Sequence, residues 1–269
     1  MLGKLLLIIT LFLSCLIAKD DSVKIKAKVV QEDVVVYAHN NNPFSITVKY
    51  TASYKNLKSN KKIPILFVLK PFTKTKEVLR LKILKKDFSF KANFHWSIGS
   101  KNAKHDNSYV YSLPYKRGTS QRVTQGFNGK LSHYKNSQYA VDFGMKKGTP
   151  VYSAREGVVV KTKFDSNSGG ASRSFIKLAN EIIIEHDDET LASYTHLKQN
   201  GVLVKVGEKV SRNQLIGYSG NTGYTRGAHL HFIVYKATDG KNRESFPIKF
   251  MSAKGLVINP KKGQVYKSK

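Results

Sequence analysis

One cysteine, Cys15, is all the chain has, so no disulfide can form within it. Acids are scarce as well: 18 Asp plus Glu stand against 46 Lys plus Arg, a formal charge of +28 over 269 residues. A chain this basic associates with polyanions. The positive residues are spread along the whole length and no DNA- or RNA-binding motif accompanies them, which sets nucleic acid aside and leaves an anionic cell envelope as the partner. Helical periodicity is missing: no long stretch repeats its apolar residues every 3.6 positions. Past the first 18 residues no apolar run is long enough to cross a bilayer, so no transmembrane span is expected in the mature chain.

The first 18 residues are a different matter. Lys4 precedes an apolar run from Leu5 to Leu13, followed by the small residues Ser14, Cys15 and Ala18. That is the pattern of a secretory signal peptide, with cleavage after Ala18. Phe12-Leu13-Ser14-Cys15 also resembles a lipobox, with Phe where Leu is usual, which would anchor the chain through Cys15. Either route predicts an exported protein, in the periplasm or cell envelope.

Residues 19–96 read as short strands separated by turns. Phe44, Ile46, Val48 and Tyr50 alternate with polar residues, as do Leu79 and Leu81, and His39 to Pro43 form a turn. The pattern predicts an immunoglobulin-like β-sandwich. No chemical constellation is visible in it, and His39, His95 and His105 read as structural or surface residues. Residues 97–122, rich in Lys, Asn, Ser and Gly, read as a connector. Residues 123–269 are again nearly all β in pattern. Within them, Asp165 to Ser174 is Ser/Gly-rich and reads as a mobile loop, and His186, ending a strand beside Asp187, as a surface residue.

Chemistry concentrates in Ala228-His229-Leu230-His231-Phe232-Ile233-Val234-Tyr235. On a strand, side chains alternate between faces, so His229, His231, Ile233 and Tyr235 share one side while Leu230, Phe232 and Val234 form an apolar set for a core. Neutral imidazole is the commonest protein ligand for a metal and a ready base near neutral pH. Spacing alone does not say which of the two histidines would bind. Upstream, His133 is followed nine positions later by Asp142, an acid between Ala140 and Gly144 on the small-residue face of another strand.

His133…Asp142, Gly148-Thr149-Pro150-Val151-Tyr152-Ser153-Ala154, Tyr194-Thr195-His196-Leu197 and His229-Leu230-His231 occur in that order. Together, from about Leu113 to Tyr235, they resemble the lysostaphin-like, or LytM-type, zinc metallopeptidases. The resemblance implies an all-β chain in which the N-terminal sandwich is followed by a C-terminal LytM-type antiparallel β-sheet peptidase domain. It implies one Zn²⁺ per chain held by His133, Asp142 and His231, with His196 and His229 as the catalytic pair, and peptidoglycan stem peptides as substrate. The bond would be a D-alanyl-diaminopimelate link or a glycyl bridge; the sequence does not choose. Two histidines and a carboxylate with an open fourth position are the ligand set of a hydrolytic zinc site. The chain departs from the compact versions of the family in the longer interval between His133 and Asp142, and has Ala228 where Pro is frequent. Tyr194, Asn128 and Arg226 lie close enough to these motifs to be expected as substrate contacts. The alternative is a catalytically silent, wall-binding activator of other murein hydrolases, which would have no need of His196 and His229.

Overall fold

The computed structural model describes residues 22–269, so the signal sequence expected over residues 1–18 lies outside the described residues. Strands account for most of the regular structure, and among the described residues the only helical pieces are two 3-10 turns, Lys135–Ser137 and Arg173–Leu178. Seven strands make the N-terminal unit: β1 (Val23–Val30), β2 (Asp33–Asn40), β3 (Ile46–Lys55), β4 (Leu57–Ser59), β5 (Ile65–Leu69), β6 (Thr73–Ile83) and β7 (Ser89–Ile98). They form two antiparallel sheets, ordered β1-β2-β6-β4 and β5-β3-β7. The alternation seen in sequence fills the space between them: Val34 and Val36, Leu79 and Leu81, Ile46, Val48 and Tyr50 are all buried in one cluster.

The connector expected over residues 97–122 is not a free linker. It carries β8 (Val110–Ser112) and the start of β9 (Ser120–Gln125), and it buries Tyr111, Leu113 and Tyr115 in the second core. Burying large aromatic side chains is a strong favourable contribution, and here it ties the segment to that core. The remaining strands follow in order: β10 (Val141–Gly144), β11 (Pro150–Tyr152), β12 (Gly157–Lys163), β13 (Gly169–Gly170), β14 (Glu181–Glu185), β15 (Leu191–Thr195), β16 (Leu197–Val202), β17 (Lys209–Val210), β18 (Leu215–Ser219), β19 (Gly223–Tyr224), β20 (His229–Ala237), β21 (Arg243–Ser245), β22 (Lys249–Ser252), β23 (Gly255–Val257) and β24 (Val265–Lys267).

One large sheet organises them, in the order β17-β12-β14-β15-β20-β10-β9-β24, with β21 paired to β20. One of its faces supplies Val123, Val141, Phe143, Ile182, Ile184, Ala192, Tyr194, Leu230, Phe232 and Val234 to the main core. Part of the opposite face is buried as well: Val160, Ile183, Leu191, Ile233 and Tyr235 belong to the same cluster as the N-terminal strands. The two units therefore share a continuous apolar seam. Gly240, at φ +81, sits at this seam, where an added Cβ would stand 2.7 Å from the carbonyl oxygen of His95. Gly99, at φ +95, makes a similar approach to Leu191. Only glycine combines that backbone with that proximity.

The Ser/Gly-rich segment expected as a mobile loop is held in place. Its β13 pairs in parallel with β19, and Ser172 accepts a hydrogen bond from the Ser174 backbone to start the second 3-10 turn.

Candidate metal centre and groove

The site lies on the face of the large sheet that is not filled by the main core. Register brings one row of residues directly opposite each other across the strands: Gln125, Asp142, His231, Thr195, Glu181 and Lys163. Directly opposed residues project to the same side, and all six line a groove of about 920 Å³. The floor of the groove thus runs across the strands.

His133 Nε2, Asp142 Oδ1 and His231 Nδ1 lie within 4.8 Å of one another. Asp142 Oδ1 is 3.1 Å from the first and 2.8 Å from the second imidazole nitrogen. The long interval between His133 and Asp142 is taken up by the turn Lys135–Ser137, with the Asn128 backbone donating to the Gln138 carbonyl at 2.6 Å. His133 is fully buried and its Nδ1 donates to the Gly126 carbonyl at 2.8 Å. That bond leaves the Nε2 lone pair facing the cluster. Burial works to raise the Asp142 carboxyl, but the close side-chain contacts of His133 and His231 hold it well below the usual carboxylate range. Burial pushes His231 down, against the pull of Asp142, which favours the neutral ligand form. Two imidazole nitrogens and a carboxylate oxygen converging on one point fit a divalent metal ion. Gln125 fixes the other carboxylate oxygen: its Nε2 donates to Asp142 Oδ2 at 3.1 Å and to Ser132 Oγ at 2.7 Å.

His196 and His229 flank this centre with ring centroids 4.6 Å apart. His196 is the single residue between β15 and β16 and has φ +70, so the chain turns sharply there. Its Nδ1 donates to the Thr222 carbonyl at 2.7 Å. Burial, with His229 and His231 nearby, pushes it down to about 3, so the ring is neutral. His229 Nδ1 donates to the Gly227 carbonyl at 2.8 Å, and its Nε2 stands 3.7 Å from Asp142 Oδ1. Both rings therefore turn Nε2 away from their carbonyl partners.

The three residues expected as substrate contacts fare differently. Arg226 is exposed and lines the groove. Tyr194 does not: it is fully buried in the main core, and its hydroxyl accepts a hydrogen bond from the Ala154 backbone at 2.8 Å. Asn128 faces a neighbouring cavity with Phe127 and Pro260, and its φ of +56 serves the turn that returns His133. His186, expected at the surface, is 3 % exposed, with Nδ1 donating to the Glu156 carbonyl at 2.7 Å. Burial pushes it down to about 4. Gln125, Thr195, Glu181 and Arg243 join the groove without having been singled out, because cross-strand register is not written in any one segment.

Residues 136–244 match the family model described as Peptidase family M23. The chain carries an M23 peptidase domain. The M23 match takes in Asp142, His196, His229 and His231 and begins three residues after His133, whose position rests on the geometry above. Peptidoglycan DD-endopeptidase ShyA of Vibrio cholerae serotype O1 is 38% identical over 115 residues, 41% of this chain and 24% of that protein. Lysostaphin of Staphylococcus staphylolyticus is 32% identical over 155 residues, 57% of this chain and 29% of that protein. The match thus spans about a quarter to a third of the length of these M23 relatives. The solved catalytic domain of lysostaphin from Staphylococcus simulans aligns over 53% of this chain and 95% of its own length, at 28% identity and a TM-score of 0.33.

Proposed function

We propose that this chain is an exported, zinc-dependent endopeptidase that hydrolyses peptide cross-links of bacterial peptidoglycan. The observation that carries the reading is the convergence of His133 Nε2, Asp142 Oδ1 and His231 Nδ1 in an open groove overhung by two further histidines. His133, Asp142 and His231 would hold the ion. Bound there, zinc polarises a carbonyl and brings the pKa of water to about 7. His196 and His229 supply proton transfer: an Nε2 lone pair on either ring can take a proton from the attacking water and return it to the leaving amine. The proton that each ring carries on Nδ1 is held by a backbone carbonyl, which fixes the ring's orientation. The relatives named for peptidoglycan cleavage support the substrate class. The charge of +28 supports retention at an anionic cell wall, more weakly as salt rises.

In this reading the N-terminal unit is an immunoglobulin-like sandwich and a packing module for the peptidase, whose groove is lined by residues between Thr124 and Arg243. Export by a signal sequence, with lipid anchoring at Cys15 as the variant form, belongs to the same proposal. Among the described residues no helix is long and apolar enough to cross a membrane.

The test is digestion of cross-linked peptidoglycan by the purified chain loaded with zinc, read by mass spectrometry. Release of cleaved cross-link fragments is expected, with loss of activity on chelation and in His231→Ala. His196→Ala should retain the metal and lose turnover by a factor of at least about 10². Wild-type cleavage that survives chelation overturns the mechanism.

A further inference from the structure

The charges around the groove do not balance. Lys161 pairs with Glu181 at 2.6 Å, Lys163 pairs with Asp165, and Asp142 is turned to the metal centre. Lys177, Arg226 and Arg243 also line the groove, and among the described residues none of them has a carboxylate partner. Arg243 differs from a loose surface cation. Its Nη2 donates to Ser137 Oγ at 2.8 Å, and its guanidinium lies over the ring of Tyr235, 4.9 Å from the centroid. Ser137 and Tyr235 fix the group, and of its five N–H donors none meets a carboxylate among the described residues. Arg243 enters from the strand paired with the far end of β20, opposite Ala237, whereas Arg226 comes from the loop before His229. The two guanidiniums therefore approach the groove from opposite ends of the same strand, with the floor between them.

A fixed guanidinium with no anion of its own is a carboxylate receptor. We propose that the groove selects peptides carrying a free carboxylate beside the scissile bond, and that Arg243 is the residue that reads it. Arg226 and Lys177 raise the local anion concentration. The proposal rests on the peptidase reading above and goes beyond it: neutral bridges and amidated cross-links are poor ligands for this groove.

The experiment uses the full chain, loaded with zinc, and two synthetic cross-linked stem-peptide dimers that differ only in a free carboxylate or its carboxamide beside the scissile bond. The free acid should be cleaved with a kcat/KM about tenfold higher. Arg243→Ala should lower kcat/KM for the acid about tenfold more than for the amide, and Arg243→Lys should keep part of the preference. Equal cleavage of both dimers by the wild type, or equal losses in Arg243→Ala, overturns the proposal. Direct titration of the corresponding uncross-linked acid and amide peptides separates this question from turnover. If neither dimer is cut, the peptidase reading fails, while a tenfold tighter hold on the acid that Arg243→Ala abolishes still supports the carboxylate receptor. Equal hold on the two peptides overturns it.

Discussion

At the scale of single residues, the centre depends on groups that would never touch an ion. Gln125 is 6 % exposed and spends its amide on Asp142 Oδ2 and Ser132 Oγ, while its carbonyl accepts from the Leu131 backbone at 3.1 Å. It therefore fixes both the carboxylate and the loop that carries His133. Outer partners of this kind set metal affinity. Gln125→Ala is expected to weaken zinc binding by roughly 10- to 100-fold, read by competition with a chromophoric chelator; an unchanged affinity removes Gln125 from this role. The histidines that flank the centre were legible in sequence as motifs, but the carbonyls of Gly126, Thr222 and Gly227 that orient the rings were not, since a backbone oxygen leaves no mark in a sequence.

At the scale of the element, β15 and β20 show why strand parity led to one right and one wrong face. On β20 the alternation is uninterrupted: Leu230, Phe232 and Val234 enter the core, and His229 and His231 stand opposite it. The same parity extended through β15 would set Tyr194 on the side of His196. The strand ends at Thr195, and His196, at φ +70, breaks the alternation. Tyr194 pairs with Phe232 on the core side, and Thr195 pairs with His231 on the groove side. Tyr194→Phe should therefore cost about 1 kcal/mol of stability, from the lost hydrogen bond to the Ala154 backbone, with kcat/KM unchanged. Denaturant unfolding and steady-state kinetics check both halves; a fall in kcat/KM at unaltered stability would return Tyr194 to the groove.

At the scale of the whole molecule, the N-terminal sheets and the large sheet are joined by packed side chains. The strands of each were legible from alternation, but the seam was not. Ile183, Leu191, Ile233 and Tyr235 lie on faces that sequence alone would assign to water or to the site. Gly240→Ala should destabilise the chain by about 2–3 kcal/mol, combining a disfavoured φ with a clash against the His95 carbonyl. The measurement is chemical unfolding, and a neutral result would mean that the seam yields. Glu185 lies beside this seam, directly opposite Leu191, which is in turn opposite Tyr235. Burial, helped by Glu189 and opposed by Lys70, pushes its carboxyl up to about 7. The folded chain then holds a proton that the unfolded chain gives up near pH 4.5, the ordinary value. The stability this proton supports is fully present below about pH 4.5 and is lost as pH rises through about 7. Between pH 5 and 8 the loss should amount to roughly 2 kcal/mol after solvent screening. Glu185→Gln should flatten that slope in unfolding measured across the same pH range, and an identical slope in the variant excludes Glu185 as its source.

The transverse row from Gln125 to Lys163 ties assembly to chemistry. Slippage of any one strand by a single position would swing its contribution to the reverse side of the sheet. In β10 or β20 such a slip would carry Asp142 or His231 away from the cluster and turn that strand's core residues outward at the same time. Uptake of metal during renaturation would accordingly report the alignment of these two strands.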